Sequence, residues 1–416
     1  MHLVYRNVNE AFKTVVRAIY EGTFPVSVEG SRNGDVLRLE EPLLLTYTRP
    51  CERVLFNSRR DANPFMHVYE ALWMLAGRND LAPVAYYAKQ MGEYSDDGVT
   101  LNGAYGYRWR HAKHGTGVRG NTSYGGTIKD HRDEIDQLDL VVKHLCDNPH
   151  SRRAVIQMWN VEDDLLRIDK GGDYPCCERV RRVERAPGDA TTLTGGSCPL
   201  HGTTTFRSPS RDVCCNLSVI VQCREQDTSP NTPNRKDGVP LRFLDLYVTN
   251  RSNDLIWGLL GANAVHFSFL QEYLAARLGW EVGRMHTFTA NAHAYQWNWK
   301  PEEWLSYYGS DQEVEYVNEC CMVPLVEDAA RFDDELHSFA ILHGGRGVVN
   351  REGEGERFKE PFFHDVAHPM LMAFHAHKAR DYAEARCWMA LVEADDWRVA
   401  GSEWIERRRA KHERQR

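Results

Sequence analysis

Apolar and polar positions fall into blocks with distinct periods. Val8, Phe12, Val15, Val16 and Ile19 recur at the spacing of one helical face, which predicts an amphipathic helix over 8–22. G-S-R-N-G-D (30–35) reads as a turn with Arg32 at its tip, and L-L-L-T-Y-T-R (43–49) as a strand. Pro64 opens an apolar run that Gly77 closes, the punctuation of a helix. That helix is apolar nearly all round and should be buried, yet Glu70 sits in its middle. An unpartnered buried carboxylate is expensive, so Glu70 is expected to be paired or functional.

Residues 96–110 read as a glycine-punctuated loop loaded with Tyr105, Tyr107, Arg108, Trp109 and Arg110, either a site lining or a packed surface turn. A charged amphipathic helix is expected over 128–147. In S-R-R-A-V-I-Q-M-W-N (151–160), Arg152 and Arg153 stand at the entrance of an apolar strand, where guanidinium forks suit phosphate oxygens. Further strands are predicted at 216–224, 241–254 and 285–295, with a helix over 264–279 stopped by Gly279. Asn291, His293 and Tyr295 alternate on one strand face, either a ligand wall or a solvated face. The alternation implies an α/β (α+β) fold, a mixed sheet with packed helices.

Two stretches break the pattern. Residues 168–211 are rich in Gly, Thr, Ser, Pro and Arg and read as an insertion into the sheet. Cys176, Cys177, Cys198 and His201 within it offer four N/S ligands for zinc, at a spacing that is not one of the strong zinc forms. From 301 to 362 the chain reads as an irregular acidic connector, and 363–416 as a helical extension with a basic end. His364 and His368 in that extension lack a third ligand and read as a core or surface pair. The expected division is thus a catalytic unit at 1–300, the connector, and the extension.

Composition narrows the class. At 416 residues the chain suits two or three domains, or one large domain with insertions. A net charge of −8 argues against a general nucleic-acid binder, though a few arginines can still hold a small anion. No apolar run approaches the ~20 residues that cross a bilayer. Eleven cysteines, an odd number, with no signal-peptide pattern, point to a reducing cytoplasm.

The stretch R-D-V-C-C-N-L-S-V-I-V-Q-C-R (211–224) carries the candidate chemistry: Cys214 and Cys215 stand at the mouth of a Val- and Ile-rich strand. Alone, they are as readily small buried hydrophobes. In order with E-A-L-W-M-L-A-G (70–77), Y-G-Y-R-W-R (105–110), S-R-R-A-V-I-Q-M-W-N (151–160), R-S-N-D (251–254) and H-A-Y (293–295), however, the chain resembles the thymidylate synthase superfamily, including its pyrimidine hydroxymethylase members. The likeness spans roughly residues 5–300. Three departures stand out. Cys214 occupies the family's usual proline position, the loop after Asp254 is one residue longer, and the chain continues into 363–416 where the family ends in a short apolar tail.

The resemblance implies one-carbon transfer from 5,10-methylenetetrahydrofolate to C5 of dUMP, in a homodimer without nucleic-acid or membrane partners. Cys215 would add as a thiolate at C6, favoured by Arg251, and so make C5 nucleophilic. Arg32 and Ser252 would hold the phosphate with Arg251, joined by Arg152 and Arg153 of the other subunit. Asn263 would read the uracil edge, His293 and Tyr295 the 3′-hydroxyl, and Asp254 the ring edge or the pterin. Glu70 would act as acid/base and Tyr105 would take the C5 proton. The absent tail favours water over hydride, hence a hydroxymethyl product. Thymidylate synthesis, dCMP hydroxymethylation and a catalytically silent nucleotide-binding or regulatory role are the alternatives.

Overall fold

The computed structural model describes residues 1–112, 134–160, 163–164, 210–226, 240–310, 314–316, 322–344 and 357–415. The zinc reading on Cys176, Cys177, Cys198 and His201, and nearly all of the 168–211 insertion, lie outside them. The chain opens with β1 (His2–Tyr5), α1 (Val8–Tyr20), β2 (Val26–Glu29), β3 (Val36–Leu39) and β4 (Leu43–Tyr47). α2 (Pro64–Leu75), α3 (Leu81–Tyr87), α4 (Tyr105–Arg110) and α5 (Gln137–Asp147) follow, then β5 (Val155–Gln157), β6 (Asn216–Gln226) and β7 (Leu241–Asp254). A wide helical turn, Leu255–Ala262, kinked at Leu260 and Gly261, leads into α6 (Asn263–Leu278) and β8 (Glu281–Tyr295). α7 (Pro301–Leu305), α8 (Ala329–Leu342), a second wide turn (Phe362–Ala367), α9 (His368–Ala379), α10 (Tyr382–Ala390) and α11 (Asp395–Glu413) come last.

Local chemistry sets these boundaries. Asn7 caps α1 by accepting from the Asn9 and Glu10 N–H groups, and the helix buries Val8, Phe12, Val15, Val16 and Ile19 along one face. Asn63 caps α2 from the Met66 N–H, Pro64 begins it, and Gly77 turns the chain away at φ +69°. Gly106 allows α4 to cross α2 closely: a Cβ there would lie 1.9 Å from the Met74 carbonyl oxygen.

Among the described residues the strands form one mixed sheet ordered β1-β4-β8-β7-β6-β5, with the β2–β3 hairpin joined to β8 through β3. β1–β4 and β7–β8 run parallel, while β4–β8, β6–β7 and β5–β6 run antiparallel. α6, the crossover between β7 and β8, packs on both strands and on α2. That sandwich explains why α2 and α6 are apolar nearly all round.

Several expectations are corrected. The 96–110 loop ends in a helix, α4. The helix expected over 128–147 begins at Gln137, where Asp136 caps it from the Leu138 and Asp139 N–H groups. The strand in 151–160 is three residues long, Val155–Gln157. The 301–362 segment is not wholly irregular: α8 runs through it, capped by Asp328. Its apolar face (Phe332, Leu336, Phe339, Ala340) is one residue in three or four, easily lost among acidic neighbours. None of the described helices is long and apolar enough to cross a membrane.

The extension is stitched to the sheet-bearing part. Trp404 of α11 meets Phe65 of α2 edge to face at 5.3 Å. Buried Asp396 accepts from the Tyr316 hydroxyl at 3.0 Å, and that oxygen accepts the Val54 N–H at 2.9 Å. Burial pushes the Asp396 carboxyl up to about 6, against the pull of the Trp397 N–H, Tyr316 and Arg53. A folded-state value above the unfolded one means that stability falls as pH rises toward and through about 6. Asp396→Asn removes this titration. Its unfolding free energy relative to wild type should therefore improve by about 2–3 kcal/mol between pH 4 and pH 7. Denaturant melts at both pH values measure this, and a difference that does not change with pH would contradict it.

Candidate active site

The site begins where β6 and β7 meet. The Arg251 N–H donates to the Cys215 carbonyl at 3.0 Å, and the ladder shifts register between Asn216 and Ser218. The two adjacent cysteines stand just before this bulge and differ in burial. Cys214 turns inward, is buried, and donates its thiol to the Asn216 carbonyl at 3.0 Å. Burial pushes that thiol up to about 12, which makes it inert. Cys215 is half-buried, with its sulfur 3.7 Å from Arg251 Nη2 and 3.6 Å from Ser252 Oγ. Of the two thiols, Cys215 is the one whose sulfur lies within reach of the Arg251 guanidinium and the Ser252 hydroxyl.

Arg251 is itself clamped. Its Nε donates to the Cys214 carbonyl at 2.9 Å and its Nη2 to the Val213 carbonyl at 3.1 Å. Arg32, at the tip of the β2–β3 turn, reaches the same approach and donates to the Ser210 and Arg211 carbonyls at 3.2 and 2.6 Å. The loop before α4 holds it from the other side. Asp96 accepts from Ser210 Oγ at 2.6 Å and from the Arg211 N–H at 2.9 Å. Half-buried Asp212 accepts the Gly103 N–H at 2.6 Å, while Asn102 donates to the Asp212 carbonyl at 3.0 Å. Asp96 and Asp212 were not among the sequence candidates, because nothing in their spacing distinguishes them from surface carboxylates.

The parallel register of β7 and β8 pairs Ser252 with Asn291 and Asp254 with His293. His293 Nδ1 lies 3.0 Å from Asn291 Oδ1, and its ring meets Tyr295 edge to face at 5.5 Å, so the expected row of polar side chains forms. Tyr295 also accepts from Asn33 at 3.4 Å. Asn263, at the start of α6, donates to Asn253 Oδ1 at 3.1 Å. Asp254 Oδ1 caps the wide turn from the Ile256 and Trp257 N–H groups, while its Oδ2 is buried and has no partner among the described residues. Burial raises the Asp254 carboxyl. Behind it lies buried Arg60, a residue the sequence reading missed. Its guanidinium covers the Trp257 ring at 4.2 Å and donates to the Ile256 carbonyl at 3.0 Å.

Glu70 is paired, as its position demanded: Oε2 is 3.1 Å from His266 Nε2 on α6. The next residue, Phe267, stacks on Tyr105 at 6.0 Å. Burial, then the neighbouring Cys215 and Cys214, hold the Tyr105 phenol well above its ordinary range. It therefore stays protonated, and it can accept the C5 proton only by passing its own onward. Arg152 and Arg153 are exposed in the turn before β5, at the sheet edge. The structure thus gathers Cys215, Arg251, Ser252 and Arg32 around one approach, Tyr105 beside it, and Asp254, Asn263, His293 and Tyr295 along the adjoining strands. Nucleophile, cation, polar wall and buried carboxylates together suit covalent addition to an anionic substrate.

A family model described as thymidylate synthase matches residues 58–184. A deoxyuridylate hydroxymethyltransferase of Pseudomonas phage M6 is 36% identical over 96% of this chain and 94% of its own length. Another from Bacillus phage SP01 is 31% identical over 71% of this chain and 61% of its own. A thymidylate synthase of Vesicomyosocius okutanii is 33% identical over 23% of this chain and 30% of its own.

Proposed function

We infer the reaction from one premise: this chain belongs to the thymidylate synthase superfamily, and it is a one-carbon transferase. It converts dUMP to 5-hydroxymethyl-dUMP. The observation that carries this is the Cys215 sulfur beside Arg251 Nη2 and Ser252 Oγ, at 3.7 and 3.6 Å, in a chain so broadly similar to a deoxyuridylate hydroxymethyltransferase.

The chain's own groups divide the work. Arg251, Ser252 and Arg32 bind the phosphate, which brings C6 of the uracil to the Cys215 sulfur. The sulfur–carbon bond forms at C6, and the ring electrons move toward C5 and O4. Asn263 presents an amide to the N3/O4 edge, and His293 and Tyr295 hold the 3′-hydroxyl. Methylenetetrahydrofolate, when bound, supplies one carbon at the oxidation level of formaldehyde. The residues present fit it: the orphaned Asp254 Oδ2 can accept from a pterin N–H, and Trp257, 43% exposed beside it, offers an aromatic face. Tyr105 and Glu70 manage the protons at C5 and at the incoming water. The 363–416 helices serve as an extension of the 1–300 catalytic unit.

The test offers the protein dUMP or dCMP with methylenetetrahydrofolate and weighs the products. It should convert dUMP, adding the mass of one CH₂O, and prefer it to dCMP. Formation of dTMP with dihydrofolate would make it a thymidylate synthase. No product from either nucleotide would favour the silent nucleotide-binding role.

The dimer rests on Arg152 and Arg153. They are exposed at the edge of a sheet whose Phe288, 40% exposed, also faces outward, and in a sheet-to-sheet dimer they would complete the partner's phosphate site. Mixing Cys215→Ala with Arg152→Ala/Arg153→Ala, each inactive alone, should restore about a quarter of wild-type turnover under random exchange: half the dimers are mixed, with one of two sites complete. Subunit exchange without recovery would show that these arginines serve their own chain.

A further inference from the structure

α2 and α6 pack on one another with most of their residues buried, and each carries polar groups that its apolar surroundings do not explain. On α2 these are His67 and, one turn later, Glu70; on α6 it is His266, one turn after Asn263. His266 is only 5% exposed. Its Nε2 stands 3.1 Å from Glu70 Oε2 but off the line of a hydrogen bond, and it has no other partner among the described residues. His67 approaches His266 from the α2 side and Arg60 lies beyond it; burial first, and these neighbours next, hold the His67 ring down at about 3, so it stays neutral. A buried donor left unaligned is costly unless some state of the protein uses it. Catalytic hydrogen bonds are often loose in the free enzyme and tighten in the complex.

We propose that His266 is the positioning residue for Glu70: its imidazole N–H swings into line when substrate binds and holds the carboxylate aimed at the water that completes the product. This rests on the hydroxymethyl-transfer reading. In the step it serves, a water oxygen bonds to the exocyclic carbon at C5, and the water proton passes to the Glu70 carboxylate. The electron pair of the exocyclic double bond moves through the ring and expels the Cys215 thiolate from C6, restoring the C5–C6 double bond. Without the N–H, the carboxylate has no fixed orientation and its buried charge is unsupported. Among the described residues, Glu70 is the polar group that His266 Nε2 reaches, so His266 acts through that residue.

The test compares full-length His266→Phe (or His266→Leu), His266→Gln, Glu70→Gln and the Glu70→Gln/His266→Phe pair. Turnover is measured, together with dUMP affinity by calorimetry in the absence of folate. The apolar variants should keep dUMP affinity within about twofold, which also shows that they fold. Their kcat should fall roughly ten- to hundredfold, the scale for removing a group that orients another. His266→Gln, whose amide nitrogen replaces Nε2, should recover most of the loss. The double variant should turn over no more slowly than Glu70→Gln alone, because both changes break one unit. Wild-type kcat in the apolar variants, no rescue by Gln, or losses that multiply would each overturn the proposal. Wild-type kcat in Glu70→Gln would instead overturn the acid/base role of Glu70 on which it stands.

Discussion

Everything in the site depends on Arg251 being held by the backbone it lies across. Its N–H pairs with the Cys215 carbonyl, while its guanidinium is clamped by the Cys214 and Val213 carbonyls. A free arginine side chain costs up to ~2 kcal/mol of rotamer entropy to fix. Here the strand pairing settles that cost on folding, before any substrate arrives, and this is preorganisation in its simplest form. Of the two adjacent thiols at this pairing, Cys214 is buried and Cys215 half-buried beside the guanidinium. Cys214 in the position the family gives to proline is tolerated because it is buried and its thiol is kept protonated.

Around this clamp the fold puts carboxylates into low-dielectric surroundings and then manages each differently. Asp212 is half-buried and fastens the segment before β6 to the Gly103 N–H. Asp254 caps a wide turn with one oxygen and leaves the other without a partner among the described residues, with the buried guanidinium of Arg60 nearby to offset its charge. Asp396, far along the chain, ties α11 back to the sheet-bearing part through Tyr316. Buried polar groups of this kind are tolerated when their partners are supplied by rigid elements. Here the partners are the Gly103 N–H, the first N–H groups of the Leu255–Ala262 turn and the Tyr316 hydroxyl.

The sequence made the strongly periodic elements legible. α1, α2, α6 and the long strands β6, β7 and β8 stand within a few residues of where the pattern put them, because one period and one environment govern each. It was silent on β1, β2 and β3, which are four-residue strands too short to show a period. It overstated the strand after Arg153 and understated α4 and α8, where packing onto α2 outweighs local pattern. For the site, Glu70 was legible because a carboxylate in an apolar helix demands a partner; that the partner is His266 was not, since pairing between helices depends on tertiary geometry. His266 left a trace all the same, as an ionisable side chain in the apolar first half of α6. Asp96, Asp212 and Arg60 left none.

The central claim is that Cys215, and not its neighbour, forms the bond to C6. It can be read directly by incubating the protein with 5-fluoro-dUMP and methylenetetrahydrofolate, then denaturing, digesting and mapping the product by mass spectrometry. A fluorine at C5 cannot depart as a cation, so an adduct that would normally lose the C5 proton stalls with its sulfur–carbon bond intact. The account predicts the nucleotide mass on Cys215, with Cys214 unmodified and no adduct in Cys215→Ala. Nucleotide on Cys214, or an adduct that survives in Cys215→Ala, would contradict it.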